Sequence, residues 1–204
     1  MKGVLGGVLI AGLIGAAGVA EAQPLRVLSL DQCADQFVLA LAPDAELALS
    51  PRADDPDSWM REAAEGRRRV RPTLEAAVGF KPDVVVRYWG GEPRLLSRLE
   101  QGGARVLTVQ DAADFEAIRG NVRTLAAGLG ARARGEMLIE RMDDVLAKQP
   151  LNGSRGGALY LTPGGFTAGA GTTIDAIIRA AGFRNLAPSP GFAPFSVERV
   201  ALKP

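Results

Sequence analysis

From Arg26 onward, short aliphatic runs alternate with longer stretches whose apolar residues recur at helical spacing. "RVLSL" (26–30) has the unbroken apolar character of a buried strand. "CADQFVLALAP" follows, with Ala34, Phe37, Val38 and Leu41 on one helical face before Pro43 stops it. "LALS" (47–50) predicts a second strand. "DSWMREAAEG" (57–66) predicts a helix, with Asp or Ser to cap it, helix formers inside and a closing Gly. "TLEAAVGF" reads as a helix, "DVVVRY" (83–88) as a strand, "PRLLSRLEQGG" (93–103) as a helix and "RVLTV" (105–109) as a strand. Strands separated by single helices imply right-handed crossovers and a mainly parallel sheet. The fold class is α/β.

Between Asp114 and Gln149 the strand signal disappears. Ile118, Val122, Leu125 and Leu129 form one apolar stripe, continued by Leu138, Met142 and Val145 beyond "GLGARARG". This predicts two helices, or one broken at Gly128–Gly130. Pro150 and "NGSRGG" then end the helical pattern. "ALYLT" (158–162) predicts a strand and "TTIDAIIRAAG" (172–182) its helix, so a second α/β unit begins here. "TLEAAVGFKPDVVV" (73–86) and the closing "SVERVALKP" share a hydroxyl residue, an aliphatic, a Glu, an apolar stretch and Lys-Pro, but only the first leads into a strand. The second unit (157–204) is also shorter than the first (26–110), and the expectation is an incomplete second unit.

Residues 1–22 stand apart from this alternation. Lys2 gives a positive start, residues 3–20 carry no charge, and "AEA" (20–22) is a small-x-small cleavage site before Gln23. The segment reads as a cleavable signal peptide. A membrane anchor is the alternative by length, disfavoured by the Gly and Ala content and the cleavage box. Asp31 and Gln32 before Cys33 argue against a lipid-modified cysteine. Export with one Cys leaves no intramolecular disulfide, so the core must supply stability. With 47% hydrophobic and 23% charged residues the composition is that of a globular protein. A formal net charge of +1 argues against a nucleic-acid binder. "GRRRVR" (66–71), the one dense basic cluster, reads as a solvated loop.

The chain contains no His, which removes Ser-His-Asp and Cys-His catalysis and His-based zinc sites. Cys33 lies at the first turn of a helix, where a thiol pKa can fall, but with no His partner it reads as a small packed residue. "TPGGFTAGAGTTIDAI" fits neither nucleotide fingerprint: Ile174 stands where a third Gly is required, and the P-loop Lys is absent. It and "YWGG" (88–91) read as flexible strand-to-helix loops at the carboxyl edge of a sheet, where open α/β sheets bind ligands. Aromatic residues are scarce at 5%, so their placement is informative. Phe37 and Phe80 fit a core. Tyr88, Trp89 and Phe166, in strand-end loops, fit a pocket or a stacking surface, and Phe192 and Phe195 fit either role.

Taken together, "RVLSLDQCADQFVLALAP", "EAAVGFKPDVVVRYWGG", the helical middle and "LYLTPGGFTAGAGTTIDAIIRAAGFRNLA" resemble the periplasmic substrate-binding proteins of ABC importers for iron–siderophore, haem and cobalamin complexes (class III). The resemblance covers most of the chain after residue 22. It implies two Rossmann-like lobes with mainly parallel sheets, joined by a long interlobe helix over 131–149, with ligand in the cleft between them. The corresponding divisions are a signal peptide (1–22), a first lobe (23–112), a helical segment (113–150) and a partial second lobe (151–204). It also implies a surface Glu on each lobe that docks on basic residues of an inner-membrane permease. The matching positions are Glu75 and Glu198, expected on one outer surface away from the ligand loops.

On this reading the chain is an exported, monomeric, non-enzymatic binding protein of the periplasm, with no resident cofactor. Its expected ligand contacts are Asp31, Gln32 and Cys33 after the first strand, Arg52 in the next loop, and Arg87, Tyr88 and Trp89. Thr162, Gly164, Gly165, Phe166 and Thr167 face them from the second lobe. Arg suits ligand carboxylates or phosphates, and Tyr88 suits stacking or ligation of haem iron. The readings from other classes are an exported α/β enzyme using Asp or Glu chemistry, and a sensor that signals to a membrane receptor.

Overall fold

The computed structural model describes residues 23–149, 154–196 and 198. The N-terminal half is a five-stranded, all-parallel sheet. Its strands are β1 (Arg26–Ser29), β2 (Glu46–Leu49), β3 (Arg68–Arg69), β4 (Val84–Arg87) and β5 (Arg105–Thr108), in the order β3-β2-β1-β4-β5. Successive strand residues point to opposite faces. Val27, Leu47, Leu49, Val84 and Val86 therefore form one core with helices α1 (Gln32–Leu41), α5 (Phe115–Gly128) and α6 (Arg132–Ala147). Leu28, Ala48 and Val85 form the other, beneath α3 (Leu74–Phe80) and α4 (Pro93–Gln101). Burial on both faces is why these strands read as continuous aliphatic runs.

Caps set the helix ends. The side chains of Asp31, Thr73 and Asp114 accept first-turn amides of α1, α3 and α5. Lys81 closes α3 in the left-handed region (φ 52°), and Pro82 follows. The middle of the chain is a pair of helices. α6 returns along α5 after a turn at 129–131, and Gly135 lets them touch, since a Cβ there would lie 2.6 Å from that of Ala126. Arg119 Nε to Asp143 (3.0 Å) and Arg123 Nε to Glu136 (3.1 Å) bridge them. α6 supplies the helix expected over 131–149.

Several expectations need correction. Over 57–66 only α2 (Arg61–Ala64) is helical, because the buried Ser58 does not cap it. The Ser58 hydroxyl donates to the Arg52 carbonyl (3.1 Å) and accepts from Gln32 Nε2 (2.8 Å), winding residues 50–60 into a loop instead. "GRRRVR" contains the edge strand β3. Three of its four arginines are engaged: Arg69 with the Ala64 and Arg67 carbonyls and with Asp54, Arg67 with the Pro43 carbonyl, and Arg68 over the Phe80 ring.

In the C-terminal half, "ALYLT" yields only the end of β6 (Gly157–Ala158), which pairs in parallel with β8 (Arg184–Asn185) across α7 (Thr173–Ala180). The glycine-rich stretch read as a loop holds β7 (Phe166–Ala168), antiparallel to β9 (Phe192–Pro194). Among the described residues after α6, Ala168 is the one apolar side chain in the buried core. The signal-peptide reading and all of "SVERVALKP" except Ser196 and Glu198 fall outside the described residues.

Candidate ligand site at the strand switch point

The chain leaves β1 toward β2 and β3, then returns to lay β4 and β5 on the other side of β1. That reversal opens a crevice beyond the carboxyl ends of β1 and β4, the ligand position in open α/β sheets. A pocket of about 380 Å³ lies there. Leu30, Asp31 and Gln32 line it from the end of β1, Ser50, Pro51 and Arg52 from the end of β2, and Trp89 to Glu92 from the end of β4, with Pro72 closing one side. The structure thus brings Gln32, Arg52 and Trp89 together, as the sequence suggests. Gly90 and Gly91 belong to the "YWGG" loop read at this edge, whereas Leu30, Ser50, Pro51, Pro72 and Glu92 were not anticipated; Pro72, just ahead of the Thr73 cap, was the available signal.

Asp31 has a different place from the one expected. It is 1% exposed, and both carboxylate oxygens are occupied. Oδ1 accepts the Ala34 amide (3.0 Å), while Oδ2 accepts those of Tyr88 (2.7 Å), Trp89 (3.2 Å) and Gly90 (3.0 Å). One buried carboxylate therefore caps α1 and gathers three consecutive amides of the β4 loop. Gly90 allows this approach, because a Cβ would lie 2.5 Å from the Leu30 carbonyl oxygen. Asp31 builds the pocket floor and is not available to a ligand.

Beside it, Asp35 is fully buried and accepts the Ser50 amide (3.0 Å) and hydroxyl (2.6 Å), joining α1 to the end of β2. Burial raises its pKa, opposed by the Ser50 hydrogen bonds. Cys33 is exposed rather than packed. Its thiol pKa is raised, first by partial desolvation and then by Asp31, opposite to the helix-start expectation.

Around the pocket, Arg52 Nε pairs with Asp55 (2.6 Å) and its side chain is more than half exposed. Arg87 Nε donates to the Gly90 carbonyl (2.6 Å), which makes it a brace of the loop. Trp89 is 58% exposed and lines the pocket. The Tyr88 hydroxyl donates to Asp111, a bond that raises its pKa, and its ring packs against the core beside α1.

The second-lobe residues form a separate feature. The Thr162 hydroxyl accepts the Phe166 amide (3.0 Å), and the Thr162 carbonyl accepts that of Gly165 (3.0 Å). Gly164 and Gly165 make this turn, with Gly165 at φ 73°. Thr167 is fully buried in β7. Phe166 and Phe192 are exposed at opposite ends of the β7–β9 ladder, with the Thr167–Ala193 pair between them. None of Thr162, Gly164, Gly165, Phe166 and Thr167 lines the pocket at Trp89.

Glu75, in the first turn of α3, is exposed. It lies three residues beyond the pocket-lining Pro72, at the start of α3 and so at the carboxyl edge of the sheet. Glu198 is exposed and accepts the Ser196 hydroxyl, which lowers its pKa.

This architecture is that of a class III periplasmic binding protein. The chain belongs to the periplasmic binding protein family, whose profile matches residues 27–202. It is 26% identical over 174 residues to a cobalamin-binding protein of Halobacterium salinarum, covering 82% of this chain and 47% of that protein. The chain thus spans about half the length of the curated relatives it matches. A periplasmic heme binding protein from Pseudomonas aeruginosa superposes with a TM-score of 0.63 at 28% identity, over 88% of this chain and 68% of that one. The periplasmic heme binding protein HutB of Vibrio cholerae shares the fold, with a TM-score of 0.68 at 20% identity over 85% and 71% of the two chains. Among the described residues no helix is long and apolar enough to cross a membrane.

Proposed function

We propose that this protein captures a metal chelate (an iron–siderophore, haem or cobalamin complex) in the pocket at the β1/β4 switch point and delivers it to an ABC permease of the inner membrane. It acts in the periplasm as a monomer after removal of residues 1–22. The metal is cargo, and the protein holds no cofactor of its own. The observation that carries this reading is the pocket beside Trp89, where a half-exposed indole face stands with Gln32 and Arg52 in one crevice. The ring suits a planar macrocycle or aromatic chelator, and the guanidinium suits its peripheral carboxylates or phosphate.

Binding is favoured over chemistry because Asp31 and Asp35, the buried carboxylates beside the pocket, are both taken up by protein donors. The cobalamin-binding relative and the heme-binding neighbour at 28% identity support the ligand class. Titration of tryptophan fluorescence with haemin, cyanocobalamin and a ferric hydroxamate tests it, in a Trp59→Phe background that leaves Trp89 as the reporter. Saturable quenching by one of the three at micromolar concentration or below is expected. No saturation by any of them overturns the reading.

A further inference from the structure

The connection from β5 to α5 contains three consecutive residues, each held by a different part of the molecule. Asn121 of α5, a buried polar residue, grips Gln110 from both sides: its Oδ1 accepts the Gln110 amide (2.9 Å) and its Nδ2 donates to the Gln110 carbonyl (2.7 Å). Asp111 accepts the hydroxyl of Tyr88, the residue before Trp89. The Ala112 carbonyl accepts the hydroxyl of Thr173, the first residue of α7 in the C-terminal half. Just upstream, the Val109 amide donates to the Arg87 carbonyl (2.7 Å) and extends the β4–β5 pairing up to this point.

We infer that Gln110–Ala112 is an interlobe joint, in which the Tyr88 hydroxyl ties the pocket loop to Asp111 and Thr173 ties the second lobe to Ala112. Tyr88 is accordingly a positioning residue whose hydroxyl is committed to Asp111, and iron ligation is not its role. Through the joint, the position of the Trp89 loop and the first turn of α7 are set by one rigid segment, because Asn121 anchors that segment to the core of the first lobe. A ligand that presses on the Trp89 loop is then felt at α7. This functional meaning rests on the binding reading above, whereas the joint itself does not.

The test is amide hydrogen exchange on the full chain without any chelate, followed by haemin titration. Tyr88→Phe and Asp111→Ala are each expected to accelerate exchange about 3- to 10-fold, the scale of one hydrogen bond. The acceleration is expected both at residues 88–91 and at Asp175 and Ala176, whose amides close the first turn of α7 on Thr172. The double variant should exceed neither single by more than about 2-fold, since both remove the same bond. Asp111→Asn keeps an acceptor for the Tyr88 hydroxyl and should restore near-parent exchange at both places.

Acceleration confined to the substituted loop, full additivity in the double variant, or failure of Asp111→Asn to rescue each overturns the joint. Thr173→Val provides an independent arm: it should loosen α7 and residues 88–91 together, and a change at α7 alone counts against the coupling. In the haemin arm, Tyr88→Phe should leave the visible spectrum of the complex unchanged. Loss of a tyrosinate-to-iron band overturns the positioning role. If haemin does not bind the parent protein at all, the binding reading loses support while the exchange results still decide the joint.

Discussion

The Asp31 carboxylate accepts the Tyr88 amide at 2.7 Å across the crevice between β1 and β4, so the end of one strand determines the loop that follows another. The same oxygen takes the Trp89 and Gly90 amides, and the second oxygen caps α1. Asp31→Ala leaves four buried or half-buried donors without that acceptor. A loss of about 2–4 kcal/mol is expected, combining a lost cap with unsatisfied donors. Urea unfolding measures it, and a change below about 1 kcal/mol would show that water replaces the carboxylate.

Asp35 predicts a pH dependence. Its folded pKa is raised above the ordinary value of 3.8, mainly by burial, so the folded state binds the proton more tightly than the unfolded state. The stabilisation from this group is full below the unfolded value and is lost as pH rises through the folded one. The stability of the parent protein relative to Asp35→Asn should therefore decline as pH is raised from about 4 toward neutrality. Unfolding midpoints of both proteins at matched pH provide the comparison. A difference that stays constant or grows in favour of the parent protein removes the assignment.

Trp89 carries the ligand prediction. Trp89→Ala should weaken chelate binding by about 1–3 kcal/mol through lost stacking area, and Trp89→Phe by less. Both variants should fold, because the ring is more than half exposed and the loop is held by its backbone. Unaltered affinity for the chelate that binds the parent protein moves the site away from this crevice.

How much of this was legible in the sequence follows from how local each signal is. Aliphatic runs and capping residues predicted the five-stranded lobe except for β3, because Arg68 and Arg69 carry no strand signal and pair only at an edge beside β2. β7 and β9 were hidden for a related reason: their glycine- and proline-rich segments form strands through a long-range antiparallel pairing that no periodicity encodes. Gln32, Arg52 and Trp89 do meet at one crevice, since residues just after parallel strands converge at one edge whatever the details. The sequence could not distinguish a carboxylate that meets ligand from one that meets backbone, which is why Asp31 and the Tyr88–Asp111 contact were resolved only by coordinates. Asn121, a polar residue next to Val122 on the apolar stripe of α5, was the visible hint of the joint.

The C-terminal half predicts its own dynamics. Ile177, Leu186 and Phe192 are about half exposed or more, and Ala168 is the one apolar core residue there among those described. Backbone bonds without apolar cover open locally at low cost. Amides in 156–195 should exchange at least about 100-fold faster than those of β1 and β4, equivalent to about 3 kcal/mol of lost protection. Equal protection in both halves would require apolar cover that these exposed faces do not show.

The last prediction concerns Glu75 and Glu198, whose assignment to permease docking depends on charge rather than packing. Glu75 stands in the first turn of α3, on the same sheet edge as the pocket, where a carboxylate also compensates the helix dipole by about 0.3–1 kcal/mol. Glu198 is exposed, and its pKa is lowered by the Ser196 hydroxyl, so it is ionised at neutral pH. A single exposed charge contributes little affinity in water, but two presented to basic residues across an interface steer and orient docking. Glu75→Lys and Glu198→Lys should each lower chelate-dependent stimulation of the permease ATPase in proteoliposomes by about 3-fold or more, and the double reversal should lower it further. Chelate affinity should stay at the parent value, because neither side chain lines the pocket at Trp89. Glu75→Gln separates the two roles: it loses helix-dipole compensation almost as fully as the Lys variant but adds no repulsion, so it should impair stimulation less. If stimulation survives the double reversal with the protein folded and loaded, Glu75 acts only at the start of α3 and Glu198 only on Ser196.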